Sequence, residues 1–252
     1  SPARIVKAQT GDYHYCFFDT PHTVEEWVRA SQAHQARATR LMTEAFRRDN
    51  RMSSFAIHLF IDAWPAGWMK AIMDCERGPK PAFFAYREAL TPLMANLRTD
   101  RWTFWTGETV SLEAWLCNDA VGTPQAELRY QVEHDGKVLA AGCSEANVPG
   151  CASAFQGYVR FRAPMVAERT IFTVRLGLVG KRGTLLHDAA LAIEVFPCLA
   201  PATAPLRAGI VGLPEGPAIR LAGELGLVQT SLAEAPVVLL DDMNLFHKHD
   251  AD

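Results

Sequence analysis

The sequence predicts an α+β multidomain chain, with a helix, strand and helix block first, an antiparallel β-sandwich next and a partial α/β unit last. Two observations carry this. Apolar residues change from helical spacing before residue 99 to alternating, aromatic-rich segments after it. A Pro/Ala stretch, CLAPATAPL, then separates the alternating block from a tail that reads strand, helix, strand. The 252 residues, 49% hydrophobic, suffice for two or three cores.

In the first block Thr23 and Glu26 have capping-box spacing. Trp27, Ser31, His34, Ala38, Leu41, Met42, Ala45 and Phe46 then recur at helical intervals. A long amphipathic helix is expected from about Val24 to Arg48. Phe55 to Ile61 (FAIHLFI) is a short apolar run, the pattern of a parallel strand buried on both faces, and His58 is its one interruption. Pro81 sits well for the first turn of a helix that Pro92 stops. Helix, buried strand, loop and helix is a βα-barrel or doubly wound pattern.

From Trp102, four segments (TFWTGETVSLEAWLCND, AELRYQVEHDGKVLAAG, FQGYVRFRAP and RTIFTVRLGLVG) are divided by Gly, Pro, Asn and Asp turns at sandwich spacing. His134, Asp135, Gly136 and Lys137 mark a tight hairpin. Gly177, Gly180 and Gly183 read as turn glycines between two strands.

Several function classes are set aside. With 25 Lys and Arg against 28 Asp and Glu, the formal charge of -3 points to neither nucleic acid nor an anionic membrane surface. No apolar stretch approaches the roughly 20 residues of a membrane span. The six cysteines show no Cys-x-x-Cys pair, so no structural metal is expected. Cys143 and Cys151 flank a turn, and read either as facing each other across a hairpin or as free, half-buried thiols. No Gly-x-Ser-x-Gly, Walker, dinucleotide or His-Glu-x-x-His motif occurs, and no cofactor is expected. The compartment stays open.

Residues Phe60 to Pro92 carry the most specific signal. Asp62, Trp64 and Pro65 are followed by Gly67 and Trp68, then Asp74, then Pro79, Lys80, Ala82, Phe83 and Phe84. This order and spacing resembles the end of the catalytic barrel in glycoside hydrolase family 2, the group of β-galactosidases, β-mannosidases and β-glucuronidases. The resemblance covers roughly residues 20 to 198. It departs at His58 and Ile61, where the family usually has an aromatic residue and an Asn.

The resemblance implies that residues 1–98 are the last part of a (β/α)8 barrel, 99–198 an immunoglobulin-like sandwich, and 199–252 a linker and partial α/β unit. It also implies that Phe55 to Ile61 is the eighth strand, with the family's two catalytic glutamates falling upstream. No catalytic residue is therefore expected here, and the chain alone should be inactive. The expected substrate is a β-linked glycoside. His58, Asp62 and Trp64 are the candidate substrate-binding residues, at the strand end where barrel sites are built. Asp62 would accept from sugar hydroxyls and Trp64 would stack on a pyranose; His58 reads equally as a sugar donor or a satisfied core histidine. Asp74 and Lys80 are expected to pair as scaffold.

Other carboxylates offer little. Glu25, Glu26 and Glu44 fit capping and solvent exposure, and Asp12 and Asp19 lie in a loop. A second reading makes the chain a non-catalytic carbohydrate-binding or structural interdomain module, with Trp102, Trp105 and Trp115 as a stacking platform or as core. Unpaired apolar edges in residues 1–98 predict self-association or local disorder there unless upstream segments are supplied.

Overall fold

The computed structural model describes residues 21–63, 70–198, 206–213 and 215–241. They fall into two compact units, Ser1–Pro197 and Cys198–Asp252.

The first unit begins with α1 (Val24–Arg48). The expected capping box forms: Thr23 Oγ1 accepts from the Glu26 N–H at 3.1 Å, and the Glu26 carboxylate accepts from the Thr23 N–H at 3.3 Å. The expected apolar stripe is half-buried from Trp27 to Leu41 and at Phe46, but exposed at Met42 and Ala45. Met42 is 58% exposed, while Thr43 and Glu44 are buried. Glu44, expected in solvent, is instead held by Arg40 at 2.7 Å and Arg48 at 3.8 Å.

The segment Phe55 to Ile61 makes no strand. Its residues lack regular secondary structure but alternate in burial, with Phe55, Ile57 and Leu59 half-buried and Ala56, His58 and Phe60 exposed. A strand buried on both faces needs ladder partners on both sides, and the described residues supply only an isolated parallel bridge from Ile61 to Met73. A short helix, α2 (Pro81–Ala89), follows with Pro at its first turn, as expected.

The sandwich comprises β1 (Leu93–Arg98), β2 (Thr103–Trp105), β3 (Thr109–Asn118), β4 (Ala126–His134), β5 (Lys137–Ala146), β6 (Ala152–Arg162), β7 (Thr170–Gly180) and β8 (Leu185–Phe196). One sheet has the order β1-β3-β6 and the other β2-β8-β7-β4-β5. Alternation decides which side chains face inward: Val110, Leu112, Ala114 and Leu116 of β3 are buried while Thr109 and Ser111 are exposed. With Val132 of β4, Val174, Leu176 and Leu178 of β7, and Ile193 and Val195 of β8 they form one core. Full burial of each such side chain stabilises by about 1.5–3 kcal/mol.

The Asp135–Gly136 hairpin forms as expected, with φ of 47° and 73° at its two turn residues. Cys143 and Cys151 do not face each other across a hairpin. β5 and β6 belong to different sheets, so the connection is a crossover, and both thiols are free and exposed. Gly177 lies inside β7 opposite Asp188 rather than in a turn, whereas Gly183, at φ 77°, does sit in the connection to β8.

Arg47 ties α1 to the sandwich. Its guanidinium donates to the carbonyls of Ala89 (3.0 Å), Thr91 (2.6 Å) and Pro92 (3.2 Å) and to Asp119 (2.8 Å). Arg48 donates to the buried Asn96 at 2.7 Å, and Asn50 exchanges hydrogen bonds with the Ser153 backbone at 2.8 and 3.0 Å.

In the second unit, β9 (Arg207–Val211) is flanked in parallel by β10 (Val228–Gln229) and β11 (Val237–Leu240), with α3 (Pro217–Glu224) between β9 and β10. No helix among the described residues is long and apolar enough to cross a membrane.

Candidate functional site

Three short segments interlock ahead of α2. Met73 N–H donates to Phe60 O at 3.0 Å and Asp62 N–H to Met73 O at 3.1 Å, while Lys80 N–H reaches Ile72 O at 2.9 Å. Gln35 of α1 secures this knot by donating to Lys70 O at 2.7 Å. Ala71 and Ile72 are wholly buried beneath it. Between the second and third segments the Asp74 carboxylate accepts from the Glu76 and Gly78 N–H groups at 2.9 and 2.7 Å. A Cβ on Gly78 would meet Asp74 Oδ2 at 2.5 Å, so a side chain there would push against the carboxylate that holds the turn.

The backbone interlock delivers Asp62 to Lys80, which immediately precedes α2. Lys80 Nζ donates to Asp62 Oδ2 at 2.9 Å, and only 16% and 14% of the two side chains remain exposed. The expected Asp74–Lys80 pair is therefore corrected. Asp74 is already committed to its own turn, and the knot brings Asp62 within reach instead.

Asp62 Oδ1 is buried with no hydrogen-bond partner among the described residues. An ionised carboxylate is acceptor-only, with lone pairs on both oxygens. Among the described residues Oδ2 is occupied and Oδ1 is not, so the group is suited to accept one O–H or N–H from a ligand while the ammonium balances its charge. Phe60, 50% exposed, and Phe84, 40% exposed, border this region around Phe83, with ring centroids 6.2 and 5.5 Å from it. The Arg87 guanidinium lies 5.3 Å from the Phe84 ring.

Of the other two candidates, His58 is exposed on the Phe55 to Ile61 segment, in a cis peptide with Leu59. Trp64 lies outside the described residues, as do Trp68, Asp12 and Asp19. Among the described residues no group of three or more His, Cys, Asp or Glu side chains is placed to hold a metal ion.

The three sandwich tryptophans do not share a surface. Trp102 carries the Arg37 guanidinium at 4.8 Å from its ring. Trp105, 51% exposed, packs edge-on against Phe196 at 6.0 Å in the five-stranded sheet. Trp115 lies on β3 in the other sheet, 5.3 Å from Phe155, which is in turn 5.2 Å from Tyr158. Phe155 and Tyr158 carry no candidate motif in the sequence; their one signal is Gln156–Gly157 interrupting the alternation of a strand, a mark of a bulge.

The fold has counterparts among solved structures. A β-D-mannosidase from Dictyoglomus thermophilum superposes over 81% of this chain with a TM-score of 0.54 at 19% sequence identity. The solved structures similar to this chain include glycoside hydrolases. The chain spans about a quarter of that mannosidase, 24% of its length. A β-glucuronidase from glycoside hydrolase family 2 (TM-score 0.33, 11% identity, 40% of this chain and 12% of that one) also matches. So does a Paenibacillus cycloisomaltooligosaccharide glucanotransferase complexed with cycloisomaltoheptaose (TM-score 0.34, 12% identity, 52% and 18%). No protein-family profile matches the sequence, and no curated protein does.

Proposed function

We propose that this chain is the C-terminal portion of a retaining β-glycosidase of the glycoside hydrolase family 2 kind, contributing sugar-binding residues but neither catalytic glutamate. In this reading residues 1–98 end a (β/α)8 barrel, 99–198 form an immunoglobulin-like sandwich, and 199–252 are a linker and partial α/β unit. Support comes from the mannosidase likeness, which spans the greater part of the chain. The immunoglobulin-like reading is supported by strands β1 and β2 lying next to each other in sequence yet in different sheets.

The observation that carries the site is Asp62, ion-paired through one oxygen, with its second oxygen buried and without a hydrogen-bond partner among the described residues. A buried unsatisfied acceptor costs about 1–3 kcal/mol, and a sugar hydroxyl donating to it removes that cost. Retaining hydrolysis needs two carboxyl groups about 5–5.5 Å apart. Asp62 is occupied by Lys80 and takes the binding role; the acid/base and the nucleophile come from outside these 252 residues. His58, being exposed, is free to turn a ring N–H toward a sugar hydroxyl, and Trp64 supplies a stacking face. The ligand is a β-linked glycoside, and no cofactor takes part.

Asp62→Asn in the longer enzyme tests the role. The amide keeps the shape but weakens acceptance, and kcat/KM for a β-glycoside is expected to fall by at least about tenfold, the worth of one charged hydrogen bond. Unchanged kcat/KM in a folded variant overturns the assignment.

A further inference from the structure

Phe155 and Tyr158 are three positions apart on β6, a spacing that in a regular strand puts side chains on opposite faces. Here both point outward. Between them the ladder slips: Trp115 pairs with Phe155 and Ala114 with Gly157, leaving Gln156 as the extra residue of a β-bulge. Gly157 takes φ 103°, a conformation open to glycine and strained for other residues. The Gln156 side chain fixes the bulge by accepting from Asn147 N–H at 2.8 Å and donating to Asn147 O at 2.8 Å.

The consequence is an aromatic cluster on the outer face of the three-stranded sheet. Phe155 and Tyr158 are 44% and 50% exposed, and Trp115 backs them. Hydrogen-bonding groups border the rings. Glu113 accepts from Trp115 Nε1 at 2.8 Å and from Arg98, and Arg160 sits over the Tyr158 ring at 4.7 Å. The neighbouring part of the same face is closed by the end of α1, through Arg48 on Asn96 and Asn50 on Ser153.

We propose that this bulged aromatic face is a second carbohydrate-binding site, taking one or two pyranose units of a soluble oligosaccharide. Size argues for a small ligand. The exposed parts of three rings offer about 250 Å² of apolar surface, since a whole aromatic side chain buries about 150–250 Å². A stable protein interface needs about 800 Å² from each partner. Donor and acceptor complementarity argues for a sugar, whose C–H face packs on a ring while its equatorial hydroxyls reach a carboxylate on one side and guanidinium groups on the other. Ring geometry refines the class. The rings lie at 53° and 75° to their neighbours, so they form a bent surface that suits a single flexible chain and not the flat face of a crystalline polysaccharide. The site stands apart from Asp62 and rests on the glycosidase reading only for the choice of probes.

The test is isothermal titration of the full chain with mannohexaose, cellohexaose and xylohexaose, with sedimentation alongside. At least one saccharide is expected to bind. Phe155→Ala and Tyr158→Ala should each weaken it by about tenfold, while Phe155→Trp should leave it intact. No binding to any probe overturns the proposal. So does binding that survives both alanine variants. A changed sedimentation coefficient in Phe155→Ala would assign the face to a protein interface and also overturn it.

Discussion

Lys80 Nζ and Asp62 Oδ2 meet at 2.9 Å, joining the residue that opens α2 to the end of an irregular segment 18 positions earlier. Removing one member strands the other: breaking a buried pair costs about 3–5 kcal/mol, and the residual exposure here brings the expectation for Lys80→Met to about 1–3 kcal/mol. Urea unfolding measures it. A loss well above that for Asp62→Asn would contradict the pairing as the main role of Lys80.

Arg47 is expected to be the costliest surface-proximal substitution in the first unit. Arg47→Ala leaves the carbonyls of Ala89, Thr91 and Pro92 without their donor, for an expected loss of about 2–4 kcal/mol. Arg47→Lys should restore only part, because a single ammonium cannot reproduce the fork. Thermal melting of the three proteins orders them.

His187 sets a pH dependence. Burial, with Arg40 and Arg47 nearby, holds its imidazole below the ordinary value of 6.5, against the opposing charges of Asp188 and Glu88. Its Nδ1 accepts from the Ala95 N–H at 3.2 Å, which needs the unprotonated nitrogen. The unfolded chain therefore takes up this proton first as pH falls. The stability contributed is complete above about 6.5 and is lost below it until the lower folded value is reached. Urea midpoints from pH 5 to 8 should show a shallower acid slope for His187→Gln than for the parent; equal slopes would contradict this.

Thiol labelling should divide the cysteines. Cys143, Cys151 and Cys198 are exposed, whereas Cys117 is buried and its thiol is pushed up by that burial. Ellman's reagent is expected to modify the exposed three quickly and Cys117 only on unfolding.

Self-association is expected to involve Phe60, Ile61 and Phe84, which are 50%, 39% and 40% exposed around Phe83. Sedimentation equilibrium should give a mass that rises with concentration and falls back toward the monomer in Phe60→Ser/Phe84→Ser. A concentration-independent monomer in the parent would contradict it.

How far the sequence foretells this structure depends on whether the deciding forces are local. Helix α1 follows from Thr23 and Glu26, whose capping box is a contact across three residues, and the β4–β5 hairpin from Asp135–Gly136. The Phe55 to Ile61 strand fails because strand formation depends on partners, which no local pattern supplies. The partner of Lys80 is decided by an interlock of three backbone segments, which no local pattern shows. Glu44 became buried because Arg40 and Arg48, one turn away on either side, neutralise it. The aromatic face escaped because Phe155 and Tyr158 share a side only through a bulge that shifts the alternation by one residue.

The most direct test of the central reading is hydrolysis of nitrophenyl β-mannoside, β-galactoside, β-glucuronide and β-N-acetylglucosaminide by the 252-residue chain and by the longer protein that carries it. The account predicts turnover of at least one glycoside by the longer protein and none by the chain. Turnover by the chain alone would contradict the placement of both catalytic carboxylates outside it, and silence from the longer protein would contradict the glycosidase itself.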